Sequence, residues 1–365
     1  MIKFNALLSI MLFFTGVQSA EAEVLTVGDF EGAQYLHIQD AVDVAVDGDE
    51  IIVYPGVYTA SAGSSTSVID LDGKRLTIRS CEGPESTIID GLHATRGVVA
   101  SGKNKVGSLL SGFTIRHGAC IPQDIDGDGH YAVWETSFGG GLVVHEFSLE
   151  LNNCIVKDNN GVFGGGLYVR QGDVVLSGCT FQSNESESGG GAVMGRHAEL
   201  TIDESIFTSN KATFTGGAIK ARFSDLNIIG SQFGENQAGT SGGAIYTSNA
   251  TKMDIETTVF CGNTVKNGHV NHIQGQWHDE GGNCFSDDCE DEDGNGYPDG
   301  CDPCPEGTAI DTDGDGLCDL IDPCPEFAGP CSMGEDGSRN LIVTPGSSIQ
   351  AMIDIAEDGD TVFIE

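Results

Sequence analysis

A unit of about 25 residues recurs five times between residues 152 and 268, and it constrains the fold more than any other feature. Each unit holds short apolar or β-branched runs bounded by Asn, Gly and Ser, the pattern of short strands. The recurring positions follow at steps of 25 to 27 residues: Asn159, Asn184, Asn210, Asn236 and Asn263, with Phe181, Phe207, Phe233 and Phe260.

A unit this short cannot bury its own apolar face, so it must stack on its neighbours. Short strands in every unit and no helical pattern predict an all-β chain that winds into a parallel β-solenoid. Successive coils would lie about 4.8 Å apart, so equivalent residues stack on one another. We expect an internal column of phenylalanines and a column of asparagines at a turn, both structural.

Charge excludes one class of partner. The 365 residues hold 55 Asp and Glu against 17 Lys and Arg, a formal net charge of −38. Such a chain repels a phosphate backbone, so we expect no nucleic acid partner. Carboxylates are the hard oxygen ligands that Ca²⁺ prefers, so calcium is the expected cofactor.

The first 22 residues have the pattern of a secretory signal peptide, with Lys3, a short apolar run and a small-x-small site at Ala20 to Ala22. The run is too short to span a bilayer, and no other stretch is long enough, so we expect no membrane span in this chain. The predicted location is secreted or extracellular. Disulfides persist in that compartment, and the chain has 12 cysteines.

The motif pair F-x-x-N and G-G-A-[ILV], as in Phe207 to Asn210 and Gly216 to Ile219, resembles the repeats of chlamydial polymorphic outer membrane proteins. The stretch IQDAVDVAVDGDEIIVYPGVY at 38–58 resembles the opening segment of right-handed pectin-lyase-like β-helices. The resemblance implies a right-handed parallel β-helix over residues 23–283, of roughly ten coils. It also implies attachment to a bacterial outer membrane or cell surface as an option for the secreted protein. It also implies an N-terminal capping helix with Ile38, Ala41, Val42 and Ala45 on its buried face, followed by a strand at Glu50–Tyr54.

Cys154 and Cys179 occupy the same repeat position. Stacked Cα atoms about 4.8 Å apart fall within disulfide range, so a bridge is one expectation. A reduced cysteine ladder is the other.

A second, acidic domain is predicted at 284–335. Residues 287–326 hold 15 acidic residues and no Lys or Arg, and two twelve-residue registers there follow the pattern of a Ca²⁺ loop. The predicted ligands of the first loop are Asp291, Asp293, Asn295, the carbonyl of Tyr297, Asp299 through water, and Asp302. Those of the second are Asp311, Asp313, Asp315, the carbonyl of Leu317, Asp319 through water, and Asp322.

Each loop ends in Asp-Pro-Cys-Pro, which resembles thrombospondin type 3 repeats and implies their metal and disulfide roles. An acidic linker without metal is the alternative. Seven cysteines lie between Cys284 and Cys331, an odd number, so one is free or pairs outside the segment, with Cys261 the nearest candidate.

A third loop, DIDGDGHYAVWE, enlarges one coil between residues 118 and 139. Its predicted Ca²⁺ ligands are Asp124, Asp126, Asp128 and Glu135. Tyr131 and Trp134 beside these carboxylates suit sugar stacking, so the loop is the sequence's best candidate for a recognition surface. Simple packing of the two rings on the coil is the alternative.

Residues 336–365 are predicted to begin a second β-helix. The stretch SIQAMIDIAEDGDTVFIE at 348–365 repeats the opening stretch at an offset of 311 residues. We therefore expect the natural protein to continue with further coils.

These features together favour a calcium-binding β-helix that acts in adhesion or surface binding, with a glycan or cell-surface ligand and the calcium repeats as a rigid connector. A pectate-lyase-like enzyme that cleaves acidic polysaccharide is the alternative, and a spacer without a ligand is a third reading. The polygalacturonase phrases N-T-D and G-H-G and the Arg-rich phrase of pectate lyases are missing. Arg116 and His117 are the residues that such an enzyme could use, and no catalytic residue is assigned.

Overall fold

Four long sheets wrap around a single apolar core in the computed structural model of the chain. The structure describes residues 22–61, 67–102, 107–120, 138–249, 252–266, 268–292, 298–301, 331–333, 339–343 and 361–364. The predicted all-β parallel β-helix is confirmed, with about nine coils rather than ten. The predicted signal peptide lies outside the described residues.

The first sheet has ten parallel strands and holds the strand predicted to open the solenoid. In spatial order they are β1 (Val24–Val27), β2 (Glu50–Val53), β5 (Thr77–Ser80), β8 (Gly107–Ser111), β11 (Ser148–Asn152), β15 (Asp173–Ser177), β19 (Glu199–Asp203), β23 (Asp225–Ile229), β27 (Met253–Glu256) and β32 (His278–Gly281).

The second sheet has eight strands and carries the candidate site described below. They are β4 (Ser67–Asp70), β7 (Arg96–Ser101), β10 (Leu142–His145), β14 (Leu167–Arg170), β18 (Val193–Arg196), β22 (Ile219–Arg222), β26 (Ile245–Ser248) and β31 (Ile273–Gln274).

The third and fourth sheets complete each coil. The third holds β3 (Gly56–Tyr58), β6 (Thr87–Asp90), β9 (Thr114–Arg116), β12 (Ile155–Lys157), β16 (Thr180–Gln182), β20 (Ile206–Thr208), β24 (Gln232–Gly234), β28 (Val259–Cys261) and β33 (Cys284–Ser286). The fourth holds β13 (Asn160–Phe163), β17 (Glu185–Gly189), β21 (Lys211–Ala212), β25 (Gln237–Ala238), β29 (Thr264–Val265) and β30 (His269–Val270), of which only the β29–β30 pair is antiparallel.

Side chains alternate along each strand because the strand period is two, so every second residue enters the core. Phe181, Phe207, Phe233 and Phe260 are fully buried. Their rings stack in sequence, with centroids 5.0, 4.7 and 5.0 Å apart. The predicted phenylalanine column is therefore confirmed.

The one helix among the described residues, α1 (Ile38–Val44), lies between β1 and β2. Ile38, Ala41, Val42 and the following Ala45 are buried in the same apolar core as the first strands. Gln39 fixes the helix to β4, since its side-chain carbonyl accepts a bond from Asp70 N (2.7 Å) and its Nε2 donates to Asp70 O (3.2 Å). The sequence placed the buried face of this helix correctly.

The predicted Cys154–Cys179 bridge is wrong, because both thiols are free and buried. In-register stacking points the two Cβ atoms in the same direction, whereas a disulfide needs Cβ atoms that converge. Each thiol instead donates to backbone carbonyls, Cys154 Sγ to Asn152 O (3.4 Å) and Cys179 Sγ to Leu151 O (3.3 Å).

Two disulfides tie the last coil to the acidic segment that follows. Cys261 pairs with Cys289, with Cα atoms 5.0 Å apart, and Cys284 pairs with Cys301, with Cα atoms 5.7 Å apart. The predicted pairing of Cys261 with a cysteine of the acidic segment is confirmed.

A separate three-stranded sheet contains β34 (Cys331–Met333), β35 (Arg339–Val343) and β36 (Thr361–Ile364). The β35–β36 pair is parallel, as is the β1–β2 pair that opens the solenoid.

Candidate functional site

Three arginines lie in register on the outer face of the second sheet, and we call Arg170, Arg196 and Arg222 the arginine ladder. Each is the last residue of its strand, on β14, β18 and β22. The strand pairing places Arg170 opposite Arg196 and Arg196 opposite Arg222. Their neighbours Val169 and Ala221 are buried in the core, so alternation turns the arginines outward.

The ladder is electrostatically unfavourable by itself. Neighbouring strands lie about 4.8 Å apart, and two unit charges at that separation repel by roughly 1 kcal/mol even in water. Like charges directly opposite one another destabilise a sheet. Among the described residues, Arg196 and Arg222 form no ion pair.

An open cleft of about 500 Å³ lies beside the ladder, lined by Arg170, Gln171, Arg196 and His197. The Phe223 ring extends this surface, since it stacks on His197 with centroids 4.9 Å apart and planes 3° apart. The Arg222 guanidinium lies 5.2 Å from the Phe223 ring centroid, and the ring is 41% exposed. The cleft therefore offers cationic donors beside a partly exposed aromatic ring.

An apolar cluster borders the ladder on the same face. Val99, Phe138, Val143, Tyr168 and Met194 pack together there, with the Phe138 and Tyr168 rings stacked at 4.2 Å. Burial raises the pKa of Tyr168 to about 12, although the charges of Arg170 and Arg196 act to lower it. Tyr168 therefore stays neutral beneath the ladder.

Lys220 adds a fourth cation to the outer face, next to Arg222 on β22. Its Nζ lies 5.8 Å from the ring centroids of both Phe163 and Tyr246. Burial, reinforced by the charge of Arg222, lowers the pKa of the Lys220 amine.

The pair Arg116 and His117, considered above for an enzyme, is held by a buried carboxylate that the sequence did not single out. Arg116 Nε donates to Asp90 Oδ2 (2.8 Å), and His117 Nδ1 lies 3.1 Å from Asp90 Oδ1. Burial would raise the pKa of Asp90, but hydrogen bonds from Leu92 N, Arg116 and His117 outweigh it and hold that pKa below its usual value. Arg116 is thus engaged in an ion pair. Register alone could have suggested this contact, because Asp90 pairs with Arg116 between β6 and β9.

Of the sixteen predicted calcium ligands, the structure describes Asp291 and Asp299. Carboxylate oxygens of Glu290, Glu292 and Asp299 lie within 4.8 Å of one another, a group that does not include Asp291. Asp299 is drawn in by backbone contacts, since its N–H donates to Glu290 O (2.6 Å) and its Oδ1 accepts from Glu292 N (3.0 Å). Acidic groups that could hold a metal ion are therefore present. The other predicted ligands lie outside the described residues: Asp293, Asn295, Tyr297, Asp302, Asp311, Asp313, Asp315, Leu317, Asp319, Asp322, Asp124, Asp126, Asp128 and Glu135.

Asp254, His278 and Glu280 form a second group whose ligand atoms lie within 4.8 Å of one another. The Lys252 amine would compete with a metal ion for this group, because its Nζ lies 2.5 Å from Asp254 Oδ2. The repeat pattern gave no signal for this group, which depends on the pairing of β27 with β32.

Comparison with known proteins supports the repeat. The family model of the Chlamydia polymorphic membrane protein repeat matches residues 230–248, the stretch that contains β24, β25 and β26. This stretch of the chain is similar to the chlamydial polymorphic membrane protein repeat. In the structure this repeat is most of one coil, and the equivalent residues of the preceding coils stack on it in register. No curated protein sequence matches the chain.

Among solved structures, the chain is similar to a pectin methylesterase from carrot, at 13% identity over 73% of this chain and 83% of that one, with a TM-score of 0.38. It is also similar to a pectin methylesterase from Aspergillus niger, at 16% identity over 74% of this chain and 86% of that one, with a TM-score of 0.37. Likenesses this distant assign no activity. No helix among the described residues is long and apolar enough to cross a bilayer.

Proposed function

We propose that this protein is a secreted or surface-attached β-helix that acts in adhesion by binding glycans, with a calcium-binding connector after the solenoid. The matched polymorphic membrane protein repeat supports a surface location. The observation that carries the binding role is the cleft beside Phe223, which combines an exposed aromatic ring with the polar side chains of Arg170, Gln171, Arg196 and His197.

Sugar recognition needs this combination. A sugar ring presents apolar C–H groups to an aromatic face and hydroxyls to hydrogen-bond donors and acceptors around it. The face is rigid, because each strand that carries it is paired on both sides. A pre-formed surface loses little conformational entropy when a ligand binds.

The connector is proposed to hold Ca²⁺ through its carboxylates, in the loops predicted from the sequence. The grouping of Glu290, Glu292 and Asp299 supports this role, because oxygen ligands in a cluster suit a hard divalent cation. Two disulfides anchor the start of this segment to the last coil.

A glycan array probed with the full chain tests the binding role. We expect binding to a subset of glycans, and we expect Phe223→Ala to weaken it by up to about tenfold, since aromatic stacking contributes about 0.5 to 1.5 kcal/mol. Phe214→Ala is the matched control, because Phe214 is 54% exposed on a different turn of the same coil. Failure of the protein to bind any glycan would leave the spacer reading, and equal loss in both variants would exclude the cleft.

A further inference from the structure

We infer that the arginine ladder is a binding site for a linear anionic polysaccharide, whose carboxylate or sulfate groups pair with Arg170, Arg196 and Arg222. This inference rests on the proposed glycan-binding function and names the ligand class and the contact residues.

Most of the basic residues between 138 and 249 lie at or beside the arginine ladder. Residues 138–249 hold 11 acidic and 6 basic residues. Three of those six are the ladder, and a fourth is the adjacent Lys220. Acidic side chains border the site at Glu146 and Asp173, but the ladder strands themselves, β14, β18 and β22, contain none. Within residues 138–249, four of the six cations therefore lie on one face.

The in-register arginines repel one another. Stacking like charges in register destabilises the sheet, and the described acidic residues do not neutralise Arg196 or Arg222. A chain of anions laid across the strands would relieve the repulsion between Arg196 and Arg222. Guanidinium groups bind carboxylate and sulfate oxygens in a two-pronged geometry, which adds directional specificity to the attraction.

The arginines of the ladder are evenly spaced. The rungs repeat at the strand spacing of about 4.8 Å, so the site is suited to a ligand with several charged groups in a row rather than to one isolated anion. Phe223 lies alongside, stacked on His197 and 41% exposed, so it adds an aromatic surface that a sugar can contact and that an inorganic anion would not use.

The overall charge of −38 opposes any polyanion at long range. Physiological salt screens such fields beyond about 8 Å, so the contacts at the ladder decide binding. The sequence pI of about 4.2 and the short basic surface disfavour nucleic acid, which is bound by broadly basic proteins.

The test measures binding of the full chain to polygalacturonate, dextran sulfate, neutral dextran and single-stranded DNA. We expect binding to one or both of the anionic polysaccharides and none to dextran or DNA, with affinity falling as salt is raised. Arg196→Gln with Arg222→Gln should weaken binding at least tenfold. Lys157→Gln with Lys211→Gln removes the same charge from other faces and should change affinity less than twofold. Polygalacturonate and dextran sulfate separate carboxylate from sulfate recognition.

Two further measurements separate recognition from structure. Arg196→Lys with Arg222→Lys keeps the charge but loses the two-pronged geometry, so it should bind with intermediate affinity. The glutamine pair should melt at the same temperature as the parent or higher, because repulsion is removed, whereas a structural role would lower the melting temperature.

The failures are distinguishable. Unchanged binding in the glutamine pair, equal binding of dextran, or equal binding of DNA would overturn the inference. Binding of neutral glycans on the array without binding of either polyanion would overturn it and keep the proposed function. Absence of binding to every glycan would overturn both.

Discussion

A continuous side-chain hydrogen-bond ladder holds the asparagines of successive coils. Asn210 is fully buried, and its Nδ2 donates to Phe181 O (2.8 Å) and to Asn236 Oδ1 (3.0 Å). Its Oδ1 accepts from both Asn184 N and Asn184 Nδ2, each at 3.0 Å. The amide thus satisfies backbone groups that the turn leaves unpaired. Only Gln offers the same donors and acceptor, and its side chain is one methylene longer.

Asn210→Ala should lower the free energy of unfolding by about 3 kcal/mol, because it leaves several buried polar groups without partners. Denaturant unfolding followed by circular dichroism measures this change. Asn227→Ala is the matched control, since Asn227 is exposed on β23 and should change stability by less than about 0.5 kcal/mol. Equal effects of the two substitutions would show that the ladder does not stabilise the coil.

At the residue scale, the sequence predicts contacts between residues of one type that repeat in every coil. It does not predict contacts that depend on the direction of individual side chains. Phenylalanine and asparagine columns follow from periodicity, because stacking is imposed on every coil. The Cys154–Cys179 pair shared the same periodicity, yet the direction of the two Cβ atoms rules out a bridge. Contacts such as Asp90 with His117 join different repeats and have no periodic signal.

The coil is the element of this fold, and its last copies are covalently joined to the segment that follows. The Cys261–Cys289 bridge closes a chain separation of 28 residues, and Cys284–Cys301 closes 17. The acidic segment holds an odd number of cysteines, so one of them is free or pairs with a cysteine outside the segment. Cys261 is the nearest candidate in the sequence. The choice of Cys289 among the cysteines of the segment needs the fold, because β33 pairs with β28 and places Ser286, just before Cys289, opposite Cys261.

Replacing Cys261 and Cys289 together by Ser should lower the stability of the last coil by about 3 kcal/mol, the cost of losing a cross-link over a loop of this length. Hydrogen exchange measured by mass spectrometry should show faster exchange in β28 and β33 and unchanged exchange in β11 and β12. The pair Cys154→Ser and Cys179→Ser is the control, since neither residue is cross-linked. An equal increase in exchange rate in all strands of the solenoid in the Cys261 and Cys289 variant would contradict a local role of the bridge.

At the scale of the whole molecule, charge is segregated. The solenoid residues 138–249 carry a net charge of −5, from 11 acidic and 6 basic residues, whereas residues 287–326 hold 15 acidic residues and no Lys or Arg. Composition alone located this division, and the repeat of about 25 residues predicted the solenoid class. It could not place the arginine ladder on one face, because the face of each arginine depends on coil register.

Ca²⁺ should bind the full chain at two or three sites and raise its melting temperature, because cations neutralise the repulsion of the acidic segment. Calorimetric titration measures the sites, and thermal melts in Ca²⁺ and in chelator measure the shift. Asp291→Asn with Asp299→Asn should remove binding at the first loop, and Asp203→Asn with Glu204→Gln, on the solenoid, is the charge-matched control. A chain that binds no Ca²⁺ would leave the segment as an acidic linker.

The two disulfides also determine how the molecule bears force. Tension that reaches Cys301 from the connector passes through sulfur to Cys284, and the second bridge carries it from Cys289 to Cys261. The bridges bypass the backbone from Cys261 to Cys284 and from Cys289 to Cys301, so only the backbone from Cys284 to Cys289 carries the load between them. The load enters the solenoid at β33 and β28, which are paired with each other. If such a protein is anchored at a surface while a ligand pulls on its coils, the two disulfides would keep the last coil from unfolding and separating from the coil before it.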